Sequence, residues 1–140
     1  MDDKQIQELI TYAMNMRAFS YTPYSHFKVG AALLTGDGKI YTGCNIENAS
    51  YTPTICAERT AFFKAVSEGI KDFKAIAIVG GHEGVDDLDY CFPCGVCRQV
   101  MSEFCKDNFR IIIARSTEEY KTFYLPEILP ERFGPSDVLC

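Results

Sequence analysis

Two short segments of this 140-residue chain carry the side chains best suited to chemistry, Cys56-Ala57-Glu58-Arg59 and Pro93-Cys94-Gly95-Val96-Cys97-Arg98. Cys94 and Cys97, three apart at the start of a predicted helix, lean toward one side of its first turn. Cys56 opens another predicted helix. Three thiolates between two helix N-termini are lowered in pKa by the unpaired N–H groups, and such a set suits Zn²⁺ with a fourth position left for water. An open zinc position is a catalytic one. Glu58 stands two residues after Cys56, a turn of about 200° that would oppose them in mid-helix. At the helix tip both still reach a point beyond the axis, where a carboxylate can take a proton from zinc-bound water without being a ligand. Three thiolates outweigh the dication and hold the pKa of that water above the roughly 7 of neutral-ligand sites. A guanidinium donating to the sulfurs offsets this, and Arg59 or Arg98 is placed to supply it.

Spacing leaves other readings open. Cys91 meets the requirement as well as Cys94 does. A Cys-x-x-Cys pair serves a redox dithiol equally. Cys91, Cys94 and Cys97 also begin like a bacterial iron–sulfur run, although Cys105-Lys106 does not supply the fourth Cys followed by Pro that such a run needs. Cys44, Cys105 and Cys140 read as small buried hydrophobes, and Glu58 or Arg59 taken singly as a solvated helix-surface charge. The combination is what singles these residues out.

The elements that must position them follow from periodicity. A first helix, capped by Asp2 or Asp3, carries Ile6, Leu9, Ile10, Ala13 and Met14 at helical spacing and closes at Arg17. Lys28–Leu34 and Ile40–Asn45 form a hairpin through Asp37-Gly38. A helix is expected from near Thr54 to Gly69, with Ala57, Ala61, Phe62, Ala65 and Val66 as its apolar stripe. Ala75–Val79 reads as a buried strand closed by Gly80-Gly81. A helix from Pro93-Cys94, a strand Phe109–Ala114 and an edge strand Thr122–Leu125 complete the series. Alternating strands and helices imply right-handed crossovers, which place helix N-termini at the carboxyl edge of the sheet. Both cysteine segments therefore converge on one edge.

Composition bounds the rest. With no linker, repeat or low-complexity tract, residues 1–140 read as a single domain, and 47% hydrophobic content suits a packed core. Fourteen Lys plus Arg against nineteen Asp plus Glu leave −5, which argues against a nucleic-acid partner and for a small substrate. Seven cysteines cannot all pair. The acidic start Met1-Asp2-Asp3-Lys4, followed by no apolar run, points to the cytoplasm. The longest apolar stretches, Val29–Leu34 and Ala75–Gly81, fall far short of the about 20 residues of a membrane span.

Cys56-Ala57-Glu58 together with Pro93-Cys94 and Cys97 resembles the signature of the zinc nucleobase deaminases, with Cys56 in place of the commoner His. Ser25-His26-Phe27-Lys28-Val29-Gly30-Ala31-Ala32-Leu33, Asn45-Ile46-Glu47-Asn48 and Cys56-Ala57-Glu58-Arg59-Thr60-Ala61 resemble the small homotetrameric cytidine deaminases, from the first helix to Phe133-Gly134-Pro135. The resemblance implies an α/β fold of three layers, αβα, whose mixed five-stranded sheet has an N-terminal antiparallel hairpin and crossover helices. It implies hydrolytic deamination of cytidine or 2′-deoxycytidine in pyrimidine salvage, one Zn²⁺ per chain on Cys56, Cys94 and Cys97, Glu58 as proton carrier and Arg59 beside the sulfurs. By the same resemblance Phe27 packs on the cytosine ring, and Asn45 with Glu47 binds the ribose hydroxyls. Residues two apart in extended chain point the same way, and an amide beside a carboxylate suits a sugar. The Ala57 N–H would hold the base carbonyl, with Phe133 of a neighbouring subunit, and less strongly Tyr51, as further contacts. Phe92 departs from the pattern, where a smaller residue usually precedes the Pro. His26 and His82 read as ordinary polar residues. Three alternatives stand beside this reading: a deaminase of another aminopyrimidine nucleoside such as blasticidin S, a non-catalytic zinc module of Cys91, Cys94, Cys97 and one more thiolate, and a polynucleotide editor, which the negative charge and the missing basic run disfavour.

Overall fold

A computed structural model describes residues 1–139; Cys140 lies outside them. Its elements are α1 (Asp3–Met16), β1 (Phe27–Thr35), β2 (Ile40–Cys44), α2 (Ala57–Ser67), β3 (Phe73–His82), α3 (Gly95–Phe104), β4 (Arg110–Ala114), β5 (Tyr120–Tyr124), α4 (Leu125–Ile128) and α5 (Ser136–Leu139), with a 3₁₀ turn over Arg17–Phe19. Asp2 accepts from the Gln5 N–H while the Gln5 side chain accepts from the Asp2 N–H, a reciprocal cap that starts α1.

The five strands run in the order β2-β1-β3-β4-β5. β1 is antiparallel to both β2 and β3, β3 and β4 are parallel, and β5 returns antiparallel. So β2, β3 and β4 point the same way, and the helices that follow β2 and β3 both start at the sheet edge where those strands end. This is the mixed sheet with crossovers that the element order predicts.

Alternation along the strands sorts the two faces by size. Ala32, Ala75, Ala77, Val79, Ile112 and Ala114 face α1 with its Ile6, Leu9, Ile10 and Ala13. The bulkier Leu33, Ile76, Ile78, Ile111 and Ile113 face α2 and α3, where they meet Phe62, Met101 and Phe109. Small residues let α1 lie close to its face. At Gly30 a β-carbon would overlap the Ala13 carbonyl. On the other face a β-carbon at Gly43 would overlap the Ala57 carbonyl, so the first turn of α2 sits directly on the end of β2.

The differences from sequence expectation are local. Ile46 and Ile55 bond to each other through both N–H and carbonyl groups, which keeps Ile55 in an antiparallel bridge and out of the helix. Hence α2 begins at Ala57, not near Thr54, and Cys56 becomes its N-cap. Gly80 and Gly81, expected to close β3, stay in the ladder opposite Val29 and Lys28, so β3 runs to His82. The edge strand is Tyr120–Tyr124, and Leu125 instead opens α4 and is fully buried. Among the described residues no helix is long and apolar enough to cross a membrane.

Candidate active site

Cys56 is the N-cap of α2 and Cys94 the N-cap of α3, and neither side chain is used in capping. Cys97 lies in the first turn of α3 and is fully buried. The three Sγ atoms lie within 4.8 Å of one another. Zinc–sulfur bonds of about 2.3 Å in tetrahedral geometry place sulfurs about 3.8 Å apart, and Cys56 Sγ and Cys94 Sγ are 3.8 Å apart. A disulfide would need about 2.05 Å. The donor set and its spacing therefore fit one zinc ion, with the start of each helix contributing its partial positive charge.

Arg59 Nη2 donates to Cys56 Sγ at 3.4 Å. A hydrogen bond from the Cys97 thiol, followed by the Arg59 guanidinium and the Cys94 thiol, brings the Cys56 thiol down to about 5. The thiol of Cys97 is pushed up in the same exchange. Arg59 thus supplies the charge correction that three thiolates call for, and Arg98 does not. Its Nε donates to the Pro93 carbonyl at 2.8 Å and its Nη1 to the Ile128 carbonyl at 2.6 Å.

Glu58 occupies the first turn of α2 and is only 4% exposed. Burial pushes its carboxyl up to about 7, opposed by its own N–H and the Cys97 thiol and reinforced by the negative Cys56. A carboxyl poised there both accepts and returns protons near neutrality. Cys91 is set apart from the sulfur cluster. Its Sγ lies against Gly80 of β3, where a β-carbon would come within 2.7 Å, and burial raises its thiol to about 12. That geometry separates Cys91 from the donor set and leaves Cys94 in it.

The polar residues expected to meet a sugar flank the same sheet edge. The side-chain Oδ1 of Asn45 accepts from the Val29 N–H at 2.9 Å and its Nδ2 donates to the Phe27 carbonyl at 2.8 Å. Asn45 thus continues the ladder one residue past β2, retaining one N–H and one lone pair for another partner. Phe27, partly buried, packs edge-on against His82 with ring centroids 5.0 Å apart. Glu47 accepts from the N–H groups of Tyr24 and Ser25, each at 3.1 Å, and from the Ser25 hydroxyl. Those bonds, the hydroxyl's first, hold its carboxyl below the usual range. Glu47 and Tyr51 line a cleft of about 400 Å³ with Tyr24, Ser25, Asn48 and Thr54. Tyr51 is 75% exposed and held at φ 61°, a left-handed backbone that costs a side chain of its size. The Ala57 N–H is the first of α2, a position with no carbonyl partner inside its own helix. Phe133 stands apart, 61% exposed as a residue, its carbonyl accepting from Gln99 Nε2 at 2.9 Å and Ser102 Oγ at 2.7 Å on α3.

Residues 3–113 match the family model described as the cytidine and deoxycytidylate deaminase zinc-binding region. The chain belongs to this deaminase family. It is 45% identical to the cytidine deaminase of Sporosarcina psychrophila over 133 residues, 95% of this chain and 94% of that one. To the cytidine deaminase of Halalkalibacterium halodurans it is 46% identical over 132 residues, 94% of this chain and 96% of that one. The crystal structure of cytidine deaminase from Burkholderia pseudomallei superposes with a TM-score of 0.80 at 44% identity, covering 90% of this chain and 97% of that one.

In this deaminase chain the residue types escape sequence reasoning less than their partners do. Ser25 is the clearest omission. Its hydroxyl donates to Glu47 and accepts from the Phe27 N–H at 3.0 Å, joining the cleft to the start of β1. A serine two residues before an aromatic strand start is the signal that points to it. Phe92, the departure from the family pattern, packs on Phe123 of β5 at 5.9 Å between ring centroids.

Proposed function

We propose that residues 1–140 form one catalytic domain that hydrolyses cytidine and 2′-deoxycytidine to the corresponding uracil nucleosides and ammonia. The observation that carries this is a buried Glu58 carboxyl beside three convergent cysteine sulfurs at two helix starts. Cys56, Cys94 and Cys97 would hold zinc, which supplies a Lewis acid that brings the pKa of water toward neutrality.

Glu58 takes a proton from the attacking water and delivers it to ring N3 as the water oxygen bonds to C4. It then takes the remaining hydroxyl proton and passes it to the exocyclic amino group as the C4–N bond breaks, releasing ammonia. Its proton balance is zero over the cycle. Arg59 holds positive charge against the sulfurs throughout. Phe27 packs on the base, the Ala57 N–H holds its carbonyl oxygen, and the free N–H and lone pair of Asn45 with the carboxylate of Glu47 orient the ribose. Tyr51 covers the open side.

The chain works on free nucleosides, a reading supported by its net charge of −5. Faster deamination of single-stranded RNA than of cytidine would overturn it. Phe133, exposed on each copy, supports a homotetramer in which it reaches a neighbouring site; sedimentation as a single chain at micromolar concentration would overturn that.

Metal content and ultraviolet assay of cytidine conversion, made on the same sample, test the main reading. Zinc near one per chain with turnover is expected. Glu58→Gln is expected to keep its zinc and lose about 10²- to 10⁴-fold in kcat. Normal turnover in zinc-replete Glu58→Gln removes Glu58 from the reaction. Ammonia release from cytidine, deoxycytidine and blasticidin S ranks the substrates, with cytidine and deoxycytidine expected ahead of blasticidin S.

A further inference from the structure

We infer that Arg98 is a positioning residue for the metal site, locking the turn that presents Cys94 to the C-terminal segment and thereby slowing zinc release. The inference rests on the ligand set proposed above.

The Pro93 carbonyl that Arg98 Nε grips at 2.8 Å belongs to the same peptide plane as the Cys94 N–H. Fixing that oxygen fixes the plane from which Cys94 departs, and with it the direction of the Cys94 side chain. Cys94 needs such a hold, because it is exposed and has no capping bond of its own. The other end of the guanidinium is tied at 2.6 Å to the Ile128 carbonyl, the last residue of α4. α4 is itself rooted in the core through Leu125, which is fully buried. A planar fork spanning two carbonyls transmits that anchorage to the metal-bearing turn, and a lysine, with one donor centre, cannot span both. Cys97, the adjacent residue, is already fixed by burial in α3. Arg98 therefore acts on the most exposed of the three cysteines, since Cys97 is buried and the half-buried Cys56 is bonded by Arg59.

The same C-terminal segment is tied to α3 further along, where Gln99 and Ser102 donate to the Phe133 carbonyl. The Gln99 side chain reaches Phe133 and not the Pro93 turn, so Gln99→Ala loosens the segment without freeing Cys94. That separates the proposed role from a general effect of α3 packing.

The test is release of zinc from the zinc-loaded chain to a chromogenic chelator, with melting of the zinc-loaded and zinc-free forms beside it. Groups that orient metal ligands are worth about 10- to 100-fold in metal affinity. Arg98→Ala is expected to release zinc at least about tenfold faster than the unmodified chain. Arg98→Lys is expected to release it faster too, and Gln99→Ala at the unmodified rate. The gap in Tm between loaded and zinc-free forms narrows in the Arg98 variants, which a purely structural role would not produce. If Arg98→Ala does not fold, Arg98→Lys decides. Release at the unmodified rate from the Arg98 variant, an unchanged Tm gap, or equally fast release from Gln99→Ala overturns the inference. An unmodified chain that takes up no zinc sinks the ligand set itself, a failure that needs no variant to be seen.

Discussion

The two halves of the site are held by different means. The sulfur half hangs on helix starts: Cys56 and Cys94 are N-caps, Cys97 and Glu58 sit in first turns, and α2 is pressed onto β2 at Gly43. Its geometry is inherited from how two helices cross the sheet, and Glu58 and Cys97 are buried there. The sugar half hangs on single polar ties. Asn45 bridges Phe27 and Val29, Ser25 joins Glu47 to Phe27, and the backbone is left-handed at His26 and Tyr51. The groups proposed for the chemistry are thus supported by the core, whereas most of those proposed for sugar recognition sit in exposed turns held by single polar ties.

This contrast breaks most visibly at a ligand. Cys94→Ala is expected to hold less than about a tenth of a zinc per chain and to lose measurable turnover, because removing one thiolate of three collapses the donor set. Full zinc occupancy in that variant, read by elemental analysis, would mean that the donor set is wrong. On the sugar side the change should be one of affinity. Asn45→Ala is expected to raise KM for cytidine about tenfold to a hundredfold with zinc content unchanged, the range for losing one or two hydrogen bonds to the substrate. A fall in kcat at constant KM would show that Asn45 serves the chemistry and would erase the distinction between the halves. The smallest effect belongs to Ser25→Ala, which removes the link between Glu47 and β1. A loss of about 1 kcal/mol corresponds to about fivefold in KM, and a larger effect on kcat than on KM would count against the division.

Much of the fold and of the site is legible in the amino-acid sequence. Periodicity locates all three long helices and the strands of the sheet, and type and spacing point to Cys56, Glu58 and the Cys94–Cys97 segment while leaving Cys91 beside Cys94 and Arg98 beside Arg59 as alternatives. What local patterns miss has specific causes. Ile46 and Ile55 are nine positions apart, and only their pairing, a contact across a loop, delays α2 to Ala57 and turns Cys56 into an N-cap. Gly80 and Gly81 look like a strand terminus, yet their partners on β1 keep them in the ladder. Arg59 and Arg98 look interchangeable as donors to sulfur. They differ because α4, formed after the last strand, offers Arg98 a carbonyl acceptor that nothing in its neighbouring sequence announces.

The amino-acid order by itself determined the chemical inventory and the local geometry: soft donors with one carboxylate and one guanidinium beside them, and cysteines at the starts of helices, because residue type and spacing within a turn are properties of a few adjacent positions. Tertiary structure alone decided which of those groups meet. Cys56 and Cys94 are 38 positions apart, and their sulfurs stand at 3.8 Å because β2 and β3 run parallel on either side of β1 and deliver both helix starts to one edge. It also set Cys91 against Gly80 and out of the donor set. Distance along the chain constrains direction only inside one element, and the sheet order decides the rest.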